Sequence, residues 1–471
     1  MIRKLILLLA CIVYVVYPNL ARADSNFTTD YYVTYTVGEN QMTHVAFAIT
    51  LTNTSSNKIA SSYAMQLGFN EINNLKVADS YGQIMPKIVK TKEGYTIQLW
   101  FNHKATGLGT KQVITVSFDT PNVSRKYGKI LEINIPGIAR PDDFSSFTVA
   151  VKTPHSFGNP SYVKPAPRGQ DLIFTKEQLG KSGISLTFGK EQLYAFNLKY
   201  HLYNNIFWSQ QTIALPPKTN YQDVAITSIE PKPSTITKDA DGNLIAQYQI
   251  PWFHTNIVTV HGVARIHLQP KKEVLSQSDW QKYTAAKKYW EADNSEIQKL
   301  AKQLRNPQAI NDYVVKTLSY DFSRVTSNKP RLGAMGVLDN PKSAACREFT
   351  DLFIALSRAA GIPAREVDGY AYTENPQQRP VSLTRDILHA WPEYYDNQKK
   401  TWVMIDPTWG NTTGGIDYFS TLDLDHVAFV IKGNDSSYPL PAGGYKANKD
   451  QQEKDVTITF ADEFPQTIIK P

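Results

Sequence analysis

Cysteine is almost absent from this chain. Two occur in 471 residues, Cys11 and Cys346, and the first falls among the opening two dozen. A pair so placed excludes the multi-bridge framework of a small disulfide-rich domain. Dense basic blocks are also missing, which argues against nucleic acid as a partner. Beyond residues 5–17 there is no second membrane-like apolar run, and no fixed-period repeat. With 42% hydrophobic and 20% charged residues, the chain has neither disordered nor collagenous character. Metal-ligand spacing is lacking too. His254, His261 and His267 fall on alternating segments, and Asp417, Asp423 and Asp425 read as a solvated acidic loop rather than a calcium site. No metal and no cofactor are expected.

What is present begins with an export signal. Arg3 and Lys4 precede an apolar run from Leu5 to Tyr17, and Ala21-Arg22-Ala23 offers a small-x-small cleavage site. The run is shorter than the ~20 residues a spanning helix needs. The expectation is a secreted or extracytoplasmic protein, with an uncleaved anchor or a lipoprotein at Cys11 as the weaker alternatives. Removing residues 1–23 takes away Arg3, Lys4 and Arg22, so +7 less three becomes +4. That is a mild bias for a chain of this length.

Residues 24–152 alternate apolar and polar positions at period two, as in Tyr31 to Val37 and Val45 to Thr52. Short strands at this spacing predict an antiparallel sandwich. A Pro/Gly-rich connection at 159–169 leads into a second β domain, 153–270, with a turn at Asp239 to Asn243. After Pro270 the composition becomes helical. Trp280, Tyr283, Tyr289, Trp290, Ile297 and Leu300 are spaced for one helical face, and a second helix is predicted over 307–318. A third domain, 271–442, carries the chemistry. The tail, 443–471, holds one more strand at Val456 to Phe460.

The chemistry lies in 343–409. Phe349, Leu352, Phe353 and Leu356 repeat at helical spacing, Gly361 ends that helix, and Pro363 follows. With Ser343 as N-cap, Cys346 falls in the first turn. There the helix dipole and unpaired N–H groups favour a thiolate, and one such N–H group can hold an oxyanion. A lone cysteine without this setting reads as buried and inert. His389 and Asp406 fall on two runs joined by a polar turn near 397–400. Any even-length turn puts both side chains on one sheet face, because side chains alternate. Asp406 can then orient His389 toward the thiol. Pro392 interrupts the first run, which predicts an edge or a bulge. Arg365 reads as a structural residue.

Cys346 with its helix, Gly361 to Arg365, Gly369-Tyr370, His389-Ala390-Trp391 and Asp406-Pro407-Thr408 together resemble the transglutaminase-like superfamily, over roughly residues 300–433. Ala345 stands where glycine often precedes the cysteine, and Pro392 where an aliphatic residue is usual. The resemblance implies an α+β, papain-like catalytic core, so the expected fold is two sandwich-like β domains, read from the alternation, followed by that domain. It implies Cys346 as nucleophile, His389 as general base and acid, and Asp406 as orienter. Trp391 and Trp409 flank the site, either packing on the imidazole or lining an acyl pocket, and the loop 371–388 is placed to set substrate choice. The expected reaction is acyl transfer or hydrolysis at protein or peptide amide bonds through a thioester, with a cell-surface or envelope setting. A cysteine peptidase without cross-linking activity and a non-catalytic surface binder on the same scaffold are the alternatives.

Overall fold

A computed structural model of the chain describes residues 26–469, apart from 93, 168, 170, 180–182, 204–208, 252–254, 327–328, 372–387, 413–416, 421 and 445–454. The signal-like segment, His254 and nearly all of the loop before His389 therefore lie outside the described residues. Among the described residues, no helix is long and apolar enough to cross a membrane. The architecture is a mostly β N-terminal region with several sheets, followed by a mixed α/β region.

The chain forms two compact units. The first comprises residues 26–35, 44–119 and 140–150 among those described. Its strands carry the alternation read from the sequence. Thr43–Asn53 buries every second residue, and Val33, Ile49, Ile97, Leu99 and Phe118 are fully enclosed. Strand Ile59–Leu67 pairs with Gly94–Thr106, which pairs in turn with Lys87–Thr91.

The second unit takes in residues 36–43 and 120–139 and everything from 151 onward. Strands Gln222–Glu230, Thr255–His267, Glu191–Tyr203 and Val456–Phe460 form one antiparallel sheet in that order. The tail strand thus returns to the middle of the chain, with Tyr194 opposite Phe460. Asp239 closes its turn by accepting the N–H groups of Asp241 and Asn243.

The α/β part is built around helix Cys346–Ala359. Phe349, Leu352, Phe353 and Leu356 pack against Trp290, Ile297, Ile310 and Val314. Each such side chain contributes about 1.5–3 kcal/mol over exposure. The helix is enclosed on its polar side as well. Arg358 donates to the carbonyls of Ala285, Ala364 and Gly433. Asp351 accepts from Trp290 Nε1 at 2.9 Å and from Arg331.

Two sequence readings need correction here. The stretch read as one helical face from Trp280 to Leu300 is two helices, Gln277–Thr284 and Ser295–Leu304. Asn294 starts the second by accepting the Glu296 N–H, while Trp290 between them is buried against Asp351. The strand holding Pro392 is interior, between Thr401–Met404 and Ala364–Ala371. The Pro392 carbonyl accepts from Ile405, one residue past the end of the shorter neighbour. In an antiparallel strand the missing N–H points the same way as that carbonyl, so it costs a ladder bond only where the partner has already ended.

Candidate active site

Cys346 is the first residue of its helix, and Ala345 is the N-cap. Alanine has no capping oxygen. Glu348 instead turns back and accepts the Ala345 N–H at 2.9 Å, and its other oxygen receives Arg324 Nη2 at 3.1 Å and the Leu332 N–H at 3.2 Å. This is the carboxylate half of a capping box. Ser343, the expected cap, lies two residues too early, with its hydroxyl against Asp321. The Cys346 side chain is half-buried.

His389 and Asp406 meet as the turn parity requires. Strand Leu388–Asp396 pairs with Thr401–Met404 across a four-residue turn, with Glu393 opposite Met404. Continuing that register puts Asp406 one diagonal step from His389. His389 Nε2 lies 2.8 Å from Asp406 Oδ2, with both groups enclosed. That bond leaves Nδ1 clear of the carboxylate, and Cys346 is an electrostatic neighbour of the ring. Burial works against a charged imidazole. The Asp406 carboxylate, helped by Cys346, outweighs it and pushes His389 up to about 10. Burial would likewise raise Asp406, but the histidines beside it hold its carboxyl well below the usual range.

Neighbouring groups fix the parts. Asp406 Oδ1 accepts the Trp409 N–H at 3.0 Å, which caps helix Pro407–Thr412. Trp391 and Trp409 lie on the imidazole, each with ring centroids 5.9 Å away and planes within 28°. Both indoles are fully buried against the ring. Arg365 is buried, donates to Glu393 at 2.7 Å and stacks over Trp402.

One neighbour escaped the sequence reading. His426, at the start of strand His426–Lys432, places Nε2 3.2 Å from the same Asp406 Oδ2 and Nδ1 2.8 Å from Asp423 Oδ1. Asp423 and Asp425 are therefore buried members of the site's surroundings, not a solvated loop. Asp425 accepts from Tyr194 OH at 3.1 Å, and Asp417 alone of the three is exposed. The sequence carried one usable hint, an Asp-x-Asp-His run leading straight into an apolar strand. His389, Asp406 and His426 bring donor atoms within 4.8 Å of one another, close enough to share an ion. Each contact is accounted for by a shared proton, and we read the group as a hydrogen-bonded network.

Residues 292–407 are a transglutaminase-like superfamily domain. The chain is 32% identical over 124 residues to a protein-glutamine gamma-glutamyltransferase of Pseudomonas aeruginosa, a match covering 25% of this chain and 18% of that protein. It is 31% identical over 112 residues to the uncharacterized protein YebA of Bacillus subtilis, covering 22% of this chain and 15% of that one. The chain thus spans less than a fifth of the length of these two relatives. Among solved structures, a candidate cysteine protease from Cytophaga hutchinsonii matches 58% of this chain and 99% of its own, with 18% identity and a TM-score of 0.37. The periplasmic domain of TgpA from Pseudomonas aeruginosa matches 48% and 92%, with 17% identity and a TM-score of 0.27.

Proposed function

We propose that the chain is an extracytoplasmic thiol enzyme that acts on amide carbonyls of proteins or peptides, with Cys346 as nucleophile, His389 as proton carrier and Asp406 as orienter. One observation carries the reading. A buried imidazole is fixed through Nε2 to a carboxylate at 2.8 Å, beside a cysteine that opens a helix. The transglutaminase-like domain supports it. The signal-like segment at 1–23 supplies the route out of the cytoplasm. The N-terminal sheets are read as sandwich-like domains and the α/β part as papain-like.

Cys346 Sγ, its proton held by His389, adds to a carboxamide or peptide carbonyl, whose oxygen takes the negative charge. The helix N-terminus favours that charge. The C–N bond breaks, His389 gives its proton to the departing nitrogen, and a thioester remains. His389 then takes a proton from the acceptor, which attacks the thioester and releases Cys346. An amine acceptor gives transfer or cross-linking; water gives hydrolysis.

Mass spectrometry of a glutamine peptide with the enzyme, with and without a primary amine, tests this. A one-dalton gain marks deamidation, amine addition marks transfer, and shorter fragments mark peptidase action. All three are expected to vanish in Cys346→Ala. Turnover retained in that variant would sink the proposal. Absence of turnover in the wild type, with affinity for a surface partner kept in Cys346→Ala, would favour a binder.

A further inference from the structure

His426 sits between two carboxylates, with Nε2 on Asp406 Oδ2 at 3.2 Å and Nδ1 on Asp423 Oδ1 at 2.8 Å. A neutral imidazole has one N–H and can serve one of them; ionised carboxylates only accept. Asp423 Oδ1 also receives the Asp425 N–H at 3.0 Å, which suits a carboxylate. We infer that His426 is a permanently protonated positioning residue: it shares the Asp406 carboxylate with His389 and so sets how firmly His389 holds its proton. The inference rests on the proposed Cys346, His389 and Asp406 roles.

The surroundings agree. His389 and His426 stand 5.8 Å apart by ring centroids, both turned to Asp406. Trp391 and Trp409 close the space around His426, each at 4.9 Å. Besides Asp406, Asp423 and His389 with its Cys346 neighbour, the charged and titratable groups near this cluster are Asp425, Tyr418, Tyr162, Tyr194, Glu132 and Lys164. Among the described residues Lys164 Nζ is buried without a hydrogen-bond partner, 3.6 Å from the Tyr418 ring centroid. Its charge helps keep Asp423 ionised. Burial opposes a charged His426, yet Asp423 and Asp406 raise it from the ordinary histidine value.

The consequence is functional. A buried carboxylate pulling on His389 alone would grip the imidazolium too tightly for it to release a proton to a leaving amine, and acid catalysis is best when that proton is moderately held. The net charge of Asp406, His426 and Asp423 together is minus one. Replacing His426 by Gln makes it minus two, so His389 holds its proton to higher pH. Removing the Asp423 charge as well restores minus one.

Two measurements on the full chain test this. The first is nitrogen NMR of histidine-labelled protein, with the His426 ring assigned by its loss in His426→Gln. Both nitrogens are expected to stay protonated from about pH 6 to about pH 9; one bare nitrogen in that range overturns the inference. The second is the pH profile of Cys346 alkylation by iodoacetamide, read on its own peptide. Its alkaline transition, assigned to His389 by comparison with His389→Gln, is expected to rise by about one to two units in His426→Gln. It should return to within about half a unit of wild type in His426→Gln/Asp423→Asn. A folded His426→Gln with an unmoved transition overturns the inference. If the wild type lacks a transition sensitive to His389, the triad reading has failed instead, and the NMR still decides the charge on His426. If His426→Gln does not fold, Asp423→Asn assigns the ring, because losing one carboxylate shifts that resonance.

Discussion

The Thr350 hydroxyl lies 3.1 Å from the carbonyl of Ala390, the residue next to His389. It also lies 2.9 Å from the carbonyl of Cys346, one turn back on its own helix. A single buried hydroxyl therefore spans the helix that carries the thiol and the strand that carries the imidazole. A threonine bonding backward within a helix usually does little for the fold; here its second partner joins the two halves of the site.

Thr350→Val keeps the shape and removes that proton. The two carbonyls then lose the one donor they share, and the expected loss of stability is about 1–2 kcal/mol. We expect kcat to fall by about tenfold with KM nearly unchanged, since a small misplacement of reacting groups is costly. Thr350→Ser should recover most of the rate. Denaturant midpoints and steady-state kinetics check both, and a valine variant as fast as wild type would remove Thr350 from the argument.

Asp406 uses both oxygens, with Oδ2 on His389 and His426 and Oδ1 accepting the Trp409 N–H. Asparagine can keep the cap, because its oxygen accepts an N–H equally well. Asp406→Asn is expected to stay folded and to lose about 10³–10⁴ in kcat, the scale of losing the orienting carboxylate in a catalytic triad. Asp406→Ala should add about 1 kcal/mol of lost stability from the missing cap. Equal stability of the Asn and Ala variants would show that the cap contributes nothing.

The His389 and Asp406 pair also predicts how stability depends on pH. His389 is raised from the ordinary value of 6.5 to about 10 in the folded protein. Its stabilising effect is fully present below about pH 6.5 and is lost as pH rises through about 10. Asp406 is depressed, so its share is present above the ordinary carboxylate range and is lost on acidification. The two describe one interaction seen from either partner and are not added. A few kcal/mol is the scale, at about 1.4 kcal/mol per unit. Urea midpoints of the wild type should fall from about pH 7 to about pH 10, with a flatter curve for His389→Gln. Parallel curves would mean that the imidazole carries no such charge.

How far the sequence could be read depends on the range of the interactions. Period-two alternation in Phe27–Val37 and helical spacing in Cys346–Ala359 are local, and both appear where the pattern put them. The shared face of His389 and Asp406 was legible because parity survives any even turn, and the turn has four residues. His426 was not legible. Its position depends on strand His426–Lys432 pairing with Ala364–Ala371, 55 residues earlier at His426 opposite Ala371. The burial of Asp425 depends on Tyr194, 231 residues away. A charged residue in a loop normally faces water, and only tertiary partners reverse that. The break between the helices at 277–284 and 295–304 has the same origin, a tryptophan drawn inward to a distant carboxylate.

Two glycines near the site separate packing from backbone conformation. Gly361 ends the Cys346 helix with φ +77°, and a Cβ there would meet nothing within 4 Å. Gly361→Ala is expected to cost about 1 kcal/mol, from the left-handed backbone alone, and to leave turnover unchanged. Gly369 pairs with His389 across the sheet. A Cβ there would stand 2.0 Å from the Val427 carbonyl oxygen and 2.8 Å from the Trp391 ring. The oxygen belongs to a sheet ladder and cannot swing aside, so the strand must shift, at about 1–3 kcal/mol or more. Trp391 lies against His389, so the same shift moves the imidazole. Gly369→Ala should therefore lose both stability and at least about tenfold in kcat. Comparing the two variants by thermal melting and turnover checks the distinction, and a Gly369→Ala enzyme with normal turnover would mean that Trp391 does not hold the ring in place.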